Sequence, residues 1–192
     1  SPTARLDYVP TTQRLPLPLP DGARIVVWPG VNVEPGVSDE PMPRTVVSPP
    51  GGVARSVPDI PNWAWHEYGQ RVGFWRIKAI FDDFGVAGSL VMNASVCDAY
   101  PQIVDACLAS GWDAVGHGYV QKALPAIPDQ REMIQRVFQR IRAYTGKPPR
   151  GWLSPALAET HDTVDWLHEA GFEYVADWVL DDQPVDLQTK HG

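Results

Sequence analysis

Between Tyr68 and Phe84 the apolar residues Ile77, Ile80, Phe81 and Phe84 recur at i, i+3, i+4 and i+7, joined by Val72 and Trp75, and Gly85 stands where a stop is needed. That period belongs to a helix with one apolar face. Upstream, the run Ile25, Val26, Val27, Trp28 is rich in β-formers and predicts a first buried strand over Arg24 to Trp28, with Val31, Asn32, Val33 and Glu34 at its exit. Downstream, Val86 to Met92 predicts a second strand. Ser95 to Ser110 predicts a helix that faces inward through Ile103, Val104, Cys107 and Leu108 and ends at Gly111. A third strand follows over Trp112 to Gly116. The stripe Ile134, Val137, Phe138, Ile141 then predicts a long helix over Asp129 to Tyr144, ended by Gly146. A short strand at Trp152 to Ser154, a helix over Thr163 to Ala170 and a strand over Phe172 to Ala176 complete the pattern.

Strands alternating with helices imply an α/β fold with a parallel sheet and right-handed crossovers. About five strands are visible, whereas a closed (β/α) barrel takes about 250 residues, so the 192 residues match the leading half or two-thirds of one. A partial barrel leaves open sheet edges and exposed apolar surface. The expectation is therefore an obligate oligomer in which a companion polypeptide supplies the rest of the barrel across an interface above about 2,000 Å². Ahead of the barrel domain, taken as residues 21–192, Pro10, Pro16, Pro18 and Pro20 predict an extended arm over residues 1–20 that wraps another surface. The stretch Pro35 to Pro61, centred on Pro49, Pro50, Gly51 and Gly52, predicts a loop long enough to serve a site or an interface.

Composition narrows the partners. With 44% apolar and 20% charged residues the chain reads as one ordinary globular domain, and its longest apolar run is far short of a membrane span. Ser1 to Pro20 lacks a basic start followed by an apolar stretch, so no secretory signal is expected. A net charge of −7 without clustered Lys and Arg argues against nucleic acid. Cys97 and Cys107 lack CxxC spacing and read as cytoplasmic thiols.

In α/β architectures, reactive groups gather on the loops that follow strands. The polar residues there are Asn32 and Glu34, Asn93, His117 and Gln121, Ser154, and Asp177 with Asp181 and Asp182. Polar groups spaced so regularly at strand ends point to a shared site. The bland readings are a backbone-satisfied His117, a surface Glu34, a core Trp152 and a turn capped by Asp181 and Asp182. The remaining histidines, His66, His161, His168 and His191, read as solvated. The pair Asp82-Asp83 lies at a helix end and reads as a solvated face.

The segments Glu67-Tyr68-Gly69-Gln70-Arg71-Val72-Gly73, Gly116-His117-Gly118-Tyr119, Pro149-Arg150-Gly151-Trp152 and Asp177-Trp178-Val179-Leu180-Asp181-Asp182-Gln183-Pro184 occur in order along the chain. Together they resemble the allantoinase-like branch of the polysaccharide deacetylase family, from about Asp21 to Pro184. The resemblance implies a distorted (β/α) barrel and a hydrolase acting on non-peptide C–N bonds. It implies substrates such as allantoin, cyclic imides or N-acetylated sugars.

Family members with a metal carry two adjacent Asp after the first strand; the matching stretch is Asn32-Val33-Glu34-Pro35, in which Glu34 stands for the base and Pro35 offers no ligand. Their paired histidines become His117 and Gln121, and amide oxygen is a poor zinc donor. The resemblance thus implies metal-independent chemistry, with zinc on His117 and Glu34, joined by Asp181 or Asp182, as the alternative. The Arg motif matches Arg150 to Pro155, with Arg150 expected to pair with Asp177. The implied catalytic set is Glu34, His117, Asp177 and Arg150. Asn32, Asn93, Gln121, Trp152 and Asp182 are expected to bind a small-molecule substrate, with Trp152 stacking on a flat ring. Glu34 or His117 would take a proton from water, which attacks the carbonyl, while Asn, Gln or backbone donors hold the oxyanion. Two other functions remain open: a non-catalytic subunit of such a complex, and a metal-dependent sugar N-deacetylase.

Overall fold

The computed structural model describes residues 1–42, 45–48, 51 and 57–190. Pro49, Pro50 and Gly52 of the long loop, and His191, lie outside them.

Five parallel strands stand side by side in chain order: β1 (Gly30–Val33), β2 (Ser89–Met92), β3 (Asp113–Gly116), β4 (Gly151–Trp152) and β5 (Tyr174–Val175). The register sets Asn32 beside Val91 and Val91 beside Val115. Between strands run α1 (Ile60–Tyr68), a π-turn at Gly69–Gly73, α2 (Phe74–Asp83), α3 (Val96–Ala99), α4 (Pro101–Ala109), α5 (Gln130–Thr145) and α6 (Thr163–Ala170). An all-parallel sheet whose strand order is its sequence order is the wall of a (β/α) barrel. Among the described residues no helix is long and apolar enough to cross a membrane.

The core lies between sheet and helices, where Leu90, Met92 and Trp152 meet Ile134, Val137 and Ile141, all essentially inaccessible to water. Helix α5 follows its sequence signals: the Asp129 carboxylate accepts the Glu132 backbone N–H at 2.9 Å, and Gly146 takes the left-handed conformation that ends it.

Three elements depart from the sequence pattern. The first strand is not Arg24 to Trp28: β1 starts at Gly30, and Ile25, Val26 and Val27 are 76%, 65% and 81% exposed. Pro29 has no N–H for a ladder, and its carbonyl instead receives Ser89 N–H at 2.9 Å, so pairing begins after it. The predicted helix over Ser95 to Ser110 is two, because Tyr100 precedes Pro101 and leaves the helical region at φ −137, ψ 56. On α2 the buried side is Phe74 and Lys78, with Phe81 against Trp112, while the stripe Ile77, Ile80 and Phe84 is 42%, 56% and 79% exposed. Lys78 can occupy the inner side because its ammonium donates to Asp82 and to Ser110 Oγ, at 2.7 and 2.6 Å. Asp82 is thereby held at the helix end.

The N-terminal arm lies on the chain's own C-terminal segment. Arg5 donates to both carboxylate oxygens of Asp165 at 2.9 and 2.7 Å and to Gln188 O at 3.0 Å, and Arg14 pairs with Asp181 at 3.0 Å. The Leu17 N–H reaches Gln183 Oε1 at 3.1 Å.

Candidate functional site

The ladder continues past each strand and delivers side chains to the C-terminal edge of the sheet. Asn93 N–H bonds Val33 O, His117 N–H bonds Met92 O, Leu153 N–H bonds Gly116 O and Ala176 N–H bonds Trp152 O, at 2.9 to 3.3 Å. Glu34, Asn93, His117, Leu153 and Ala176 thus occupy equivalent places after successive strands, with Asp177 one residue beyond the last. Gly118 lets the His117 loop fold back at φ +71, where a Cβ would sit 2.9 Å from Pro155 Cγ.

Glu34 and His117 meet. The imidazole Nε2 lies 3.0 Å from Glu34 Oε1, and Asn32 Nδ2 donates to the same oxygen at 3.1 Å. His117 Nδ1 lies 2.6 Å from Leu153 O. A carbonyl only accepts, so Nδ1 carries a proton, and the Nε2 contact with a carboxyl oxygen then requires a second proton between the two groups. Burial raises the Glu34 carboxyl, but the hydrogen bonds from His117 and Asn32 outweigh it and hold the group below the ordinary carboxylate range. One proton thus lies between the two groups, and the forces on Glu34 favour its carboxylate form. The His117 side chain is 3% exposed and that of Glu34 25%, so the carboxylate is the member that meets solvent.

Gln70, on the π-turn, donates to Glu34 O at 3.3 Å, and a cleft of about 340 Å³ opens beside the carboxylate between Asn32, Trp65, His66, Tyr68 and Gln70. His66 is the smallest of the influences that lower the Glu34 carboxyl. His66 Nε2 is buried without a hydrogen-bond partner among the described residues. Neither His66 nor Gln70 was singled out by the strand-end rule, since both precede β2 on a helix. Their i, i+4 spacing, which sets them on one helix face, was the available signal. Asn93, wholly buried, donates to His117 O and, at 3.3 Å, to Gln121 Oε1. It braces the His117 loop.

The other expected site residues lie elsewhere. Arg150 precedes β4 at the N-terminal end of the sheet, whereas Asp177 follows β5 at the opposite end, so the two do not pair. Arg150 Nε instead donates to Glu173 Oε2 at 2.7 Å on the surface, with side chains 68% and 55% exposed. Trp152 is not a stacking platform: its ring is fully buried against Phe172 and its Nε1 donates to Ser154 Oγ at 2.8 Å. Asp182 is 97% exposed beside Arg14. Asp177 Oδ1 accepts Ser154 N–H at 2.7 Å and faces Glu159, a residue the sequence pattern did not flag. Cys97 and Cys107 are buried thiols pushed up to about 11 and about 12, so neither supplies a thiolate.

The polysaccharide deacetylase family profile matches residues 65–175, more than half of the chain. The chain belongs to this family. Over 108 residues it is 27% identical to a peptidoglycan deacetylase-like protein of Gibberella zeae, covering 54% of this chain and 32% of that one. A protein of Mycobacterium smegmatis assigned to the polysaccharide deacetylases superposes with a TM-score of 0.54 at 26% identity, over 59% of this chain and 40% of that one. Puue allantoinase gives a TM-score of 0.71 at 23% identity, over 90% of this chain and 62% of that one, which shows a common fold. The chain thus spans less than two-thirds of each of these relatives. Its sheet is part of a polysaccharide-deacetylase-type (β/α) barrel.

Deacetylases of this family use a divalent metal. The donor set here does not fit one: Glu34 Oε1 and His117 Nε2 are engaged with each other, Gln121 Oε1 is bonded by Asn93, and Asp181 is held by Arg14. No three His, Cys, Asp or Glu side chains among the described residues could share an ion, and a zinc site wants three such donors.

Proposed function

We propose that this chain is a hydrolase subunit of the allantoinase-like branch, opening a non-peptide C–N bond of a small amide, cyclic amide or imide with Glu34 as the general base. The observation that carries this reading is the Glu34–His117 contact at 3.0 Å with Nδ1 fixed on Leu153 O. His117, with both nitrogens engaged and its ring buried, is not free to accept a proton. Glu34 keeps its second oxygen, Oε2, for water. In the reaction Oε2 takes a proton from water, the oxygen attacks the carbonyl carbon, and the proton passes to the departing nitrogen as the C–N bond breaks. The His117 ring keeps Glu34 ionised and oriented, and the amides of Asn32 and Gln121 are the expected donors to the developing oxyanion. Membership of the polysaccharide deacetylase family and the fold shared with Puue allantoinase support hydrolysis of a C–N bond, with a ring compound as the substrate.

The reading includes a companion polypeptide that supplies further strands. Its support is that neither β1 nor β5 has an outer neighbour among the described residues, while Ile25 to Val27 and the Ile77, Ile80, Phe84 stripe face water.

The test is hydrolysis of hydantoin, succinimide and allantoin by the native particle before and after chelation. Turnover that survives chelation and is lost in Glu34→Gln supports the reading. Chelator-sensitive release of acetate from N-acetylglucosamine oligomers would favour a sugar deacetylase instead. Unchanged turnover in Glu34→Gln would assign catalysis elsewhere.

A further inference from the structure

The contacts of His117 do not end at Leu153. Leu153 C=O and Ser154 N–H belong to one peptide unit: its oxygen receives His117 Nδ1 at 2.6 Å and its N–H is received by Asp177 Oδ1 at 2.7 Å. On the far side, Asp177 Oδ2 and Glu159 Oε1 are both buried and have no donor among the described residues. Two neighbouring carboxyl groups cannot both ionise easily, and Glu159 is the one raised beside Asp177. The remaining Glu159 oxygen, Oε2, accepts Trp178 Nε1 at 3.0 Å. Hydrogen bonds therefore run from Glu34 through His117 and one peptide group to Asp177, whose carboxyl has as its neighbour Glu159, itself bonded to Trp178. These contacts cross the ends of β1, β3, β4 and β5.

We propose that Asp177 and Glu159 are positioning residues for His117, acting through the Leu153–Ser154 peptide, with Asp177 receiving Ser154 N–H and Glu159 set against the Asp177 carboxyl. The proposal rests on the reading of Glu34 and His117 as the reactive dyad and adds what sets that dyad. A carboxylate on an amide N–H draws the peptide toward its charge-separated form and makes the carbonyl a better acceptor, because linked hydrogen bonds polarise one another. The stronger Leu153 carbonyl holds Nδ1–H, fixes the ring with Nε2 toward Glu34 and favours the imidazolium. This follows the wider rule that the partner of one imidazole nitrogen decides what the other can do.

Glu159 reaches Asp177 because the chain turns through two left-handed residues, Ala156 at φ 60 and Leu157 at φ 52. Side chains in the left-handed region are strained, and such strain persists where the surroundings over-determine it. Burial first, and then the Asp177 hydrogen bond, push the Glu159 carboxyl up to about 8. The charged groups around it are Asp177 and the Arg5 guanidinium, itself tied to Asp165, and Glu159, Asp177 and His161 line one cleft of about 590 Å³.

The experiment follows the His117 Nδ1–H proton and the imidazole nitrogens by NMR on the full chain, assigned by their absence in His117→Ala. Asp177→Asn keeps an oxygen for Ser154 N–H but removes the charge. Its Nδ1–H resonance is expected to move upfield, and the companion assay to lose roughly tenfold in kcat/KM, the lower end of what supporting partners contribute around reactive groups. Glu159→Gln places an amide N–H beside Asp177 that cannot ionise. Wild-type protein is expected to lose the downfield Nδ1–H signature as pH rises through about 8, while Glu159→Gln keeps it. Should Asp177→Asn not fold, the Glu159→Gln comparison carries the test alone. Identical pH behaviour of wild type and Glu159→Gln, or an unmoved resonance in folded Asp177→Asn, overturns the proposal. Because the readout is the imidazole, its failure is separate from failure of the catalytic reading, which is decided by turnover in Glu34→Gln.

Discussion

Glu34 and His117 are 83 positions apart in the chain and 3.0 Å apart in the fold, joined through a single proton between carboxyl oxygen and imidazole Nε2. The parallel sheet makes this meeting possible, since β1 and β3 end at the same edge with only β2 between them. A side chain as long as Glu reaches across that gap. Glu34 itself is the exposed member, and this gives the pair a direction: the proton acceptor faces the cleft and its support faces the core.

Replacing Glu34 by Gln preserves shape and the Asn32 contact but removes the base. Turnover is expected to fall by roughly a hundredfold or more. Steady-state kinetics on the native particle, with circular dichroism to check folding, measures it.

The pH profile follows from the forces on Glu34. A base acts when ionised, so activity is lost as pH falls through its carboxyl value, which lies below the ordinary range because of His117 and Asn32. Asn32→Ala removes one of those two donors while burial still opposes ionisation. The acid limb of kcat/KM is expected to move to higher pH in Asn32→Ala. A limb that stays in place would remove Glu34 as the titrating base.

The alternation of strand and helix was legible in the sequence because apolar periods of 3.6 and 2 are local properties. So were Glu34, Asn93, His117 and Asp177 as strand-end residues, for in a parallel sheet that position fixes the face. Polarity alone could not tell the two ends of a strand apart in a short motif. Arg150 and Trp152 adjoin Ser154, yet one precedes β4 and the other lies within it. The error at Ile25 to Trp28 has another source: β-forming composition describes what a segment tolerates, and Pro29 decided where pairing could begin. Glu159 was illegible because it acts on a residue from a different loop, and no period or spacing encodes that contact, while His66 left only its i, i+4 spacing to Gln70 as a trace.

Arg5 and Asp165 anchor the N-terminal arm. The Asp165 carboxyl is held far below the usual range, first by the Arg5 hydrogen bond, and its side chain is 3% exposed. A depressed carboxyl contributes stability that is present above its unfolded value and lost as pH falls through its folded one. Arg5→Ala leaves that charge buried with only the Lys190 contacts and is expected to cost about 3 kcal/mol. Residues 1–20 should also become the first site of limited proteolysis.

Glu159 gives the opposite dependence. Its carboxyl is raised, so its contribution is complete below the unfolded Glu value and disappears as pH rises through about 8. Wild-type melting temperature is expected to decline across that window more steeply than that of Glu159→Gln, which has no proton to lose. Parallel curves from differential scanning calorimetry at a series of pH values would show that Glu159 is not buried against Asp177 in solution.

The outward stripe of α2 tests the companion chain. Ile77, Ile80 and Phe84 lie outside the core of this chain, where Phe74, Lys78 and Phe81 make the inward contacts of α2. Charging them should therefore leave the fold intact. If further strands and their helices cover this face, Ile80→Glu combined with Phe84→Glu lowers the mass of the native particle while the melting temperature of the isolated chain stays within a few degrees of wild type. A particle of unchanged mass would place the companion on the β5 side of the sheet or remove it altogether, and native mass spectrometry with identification of each polypeptide separates those outcomes.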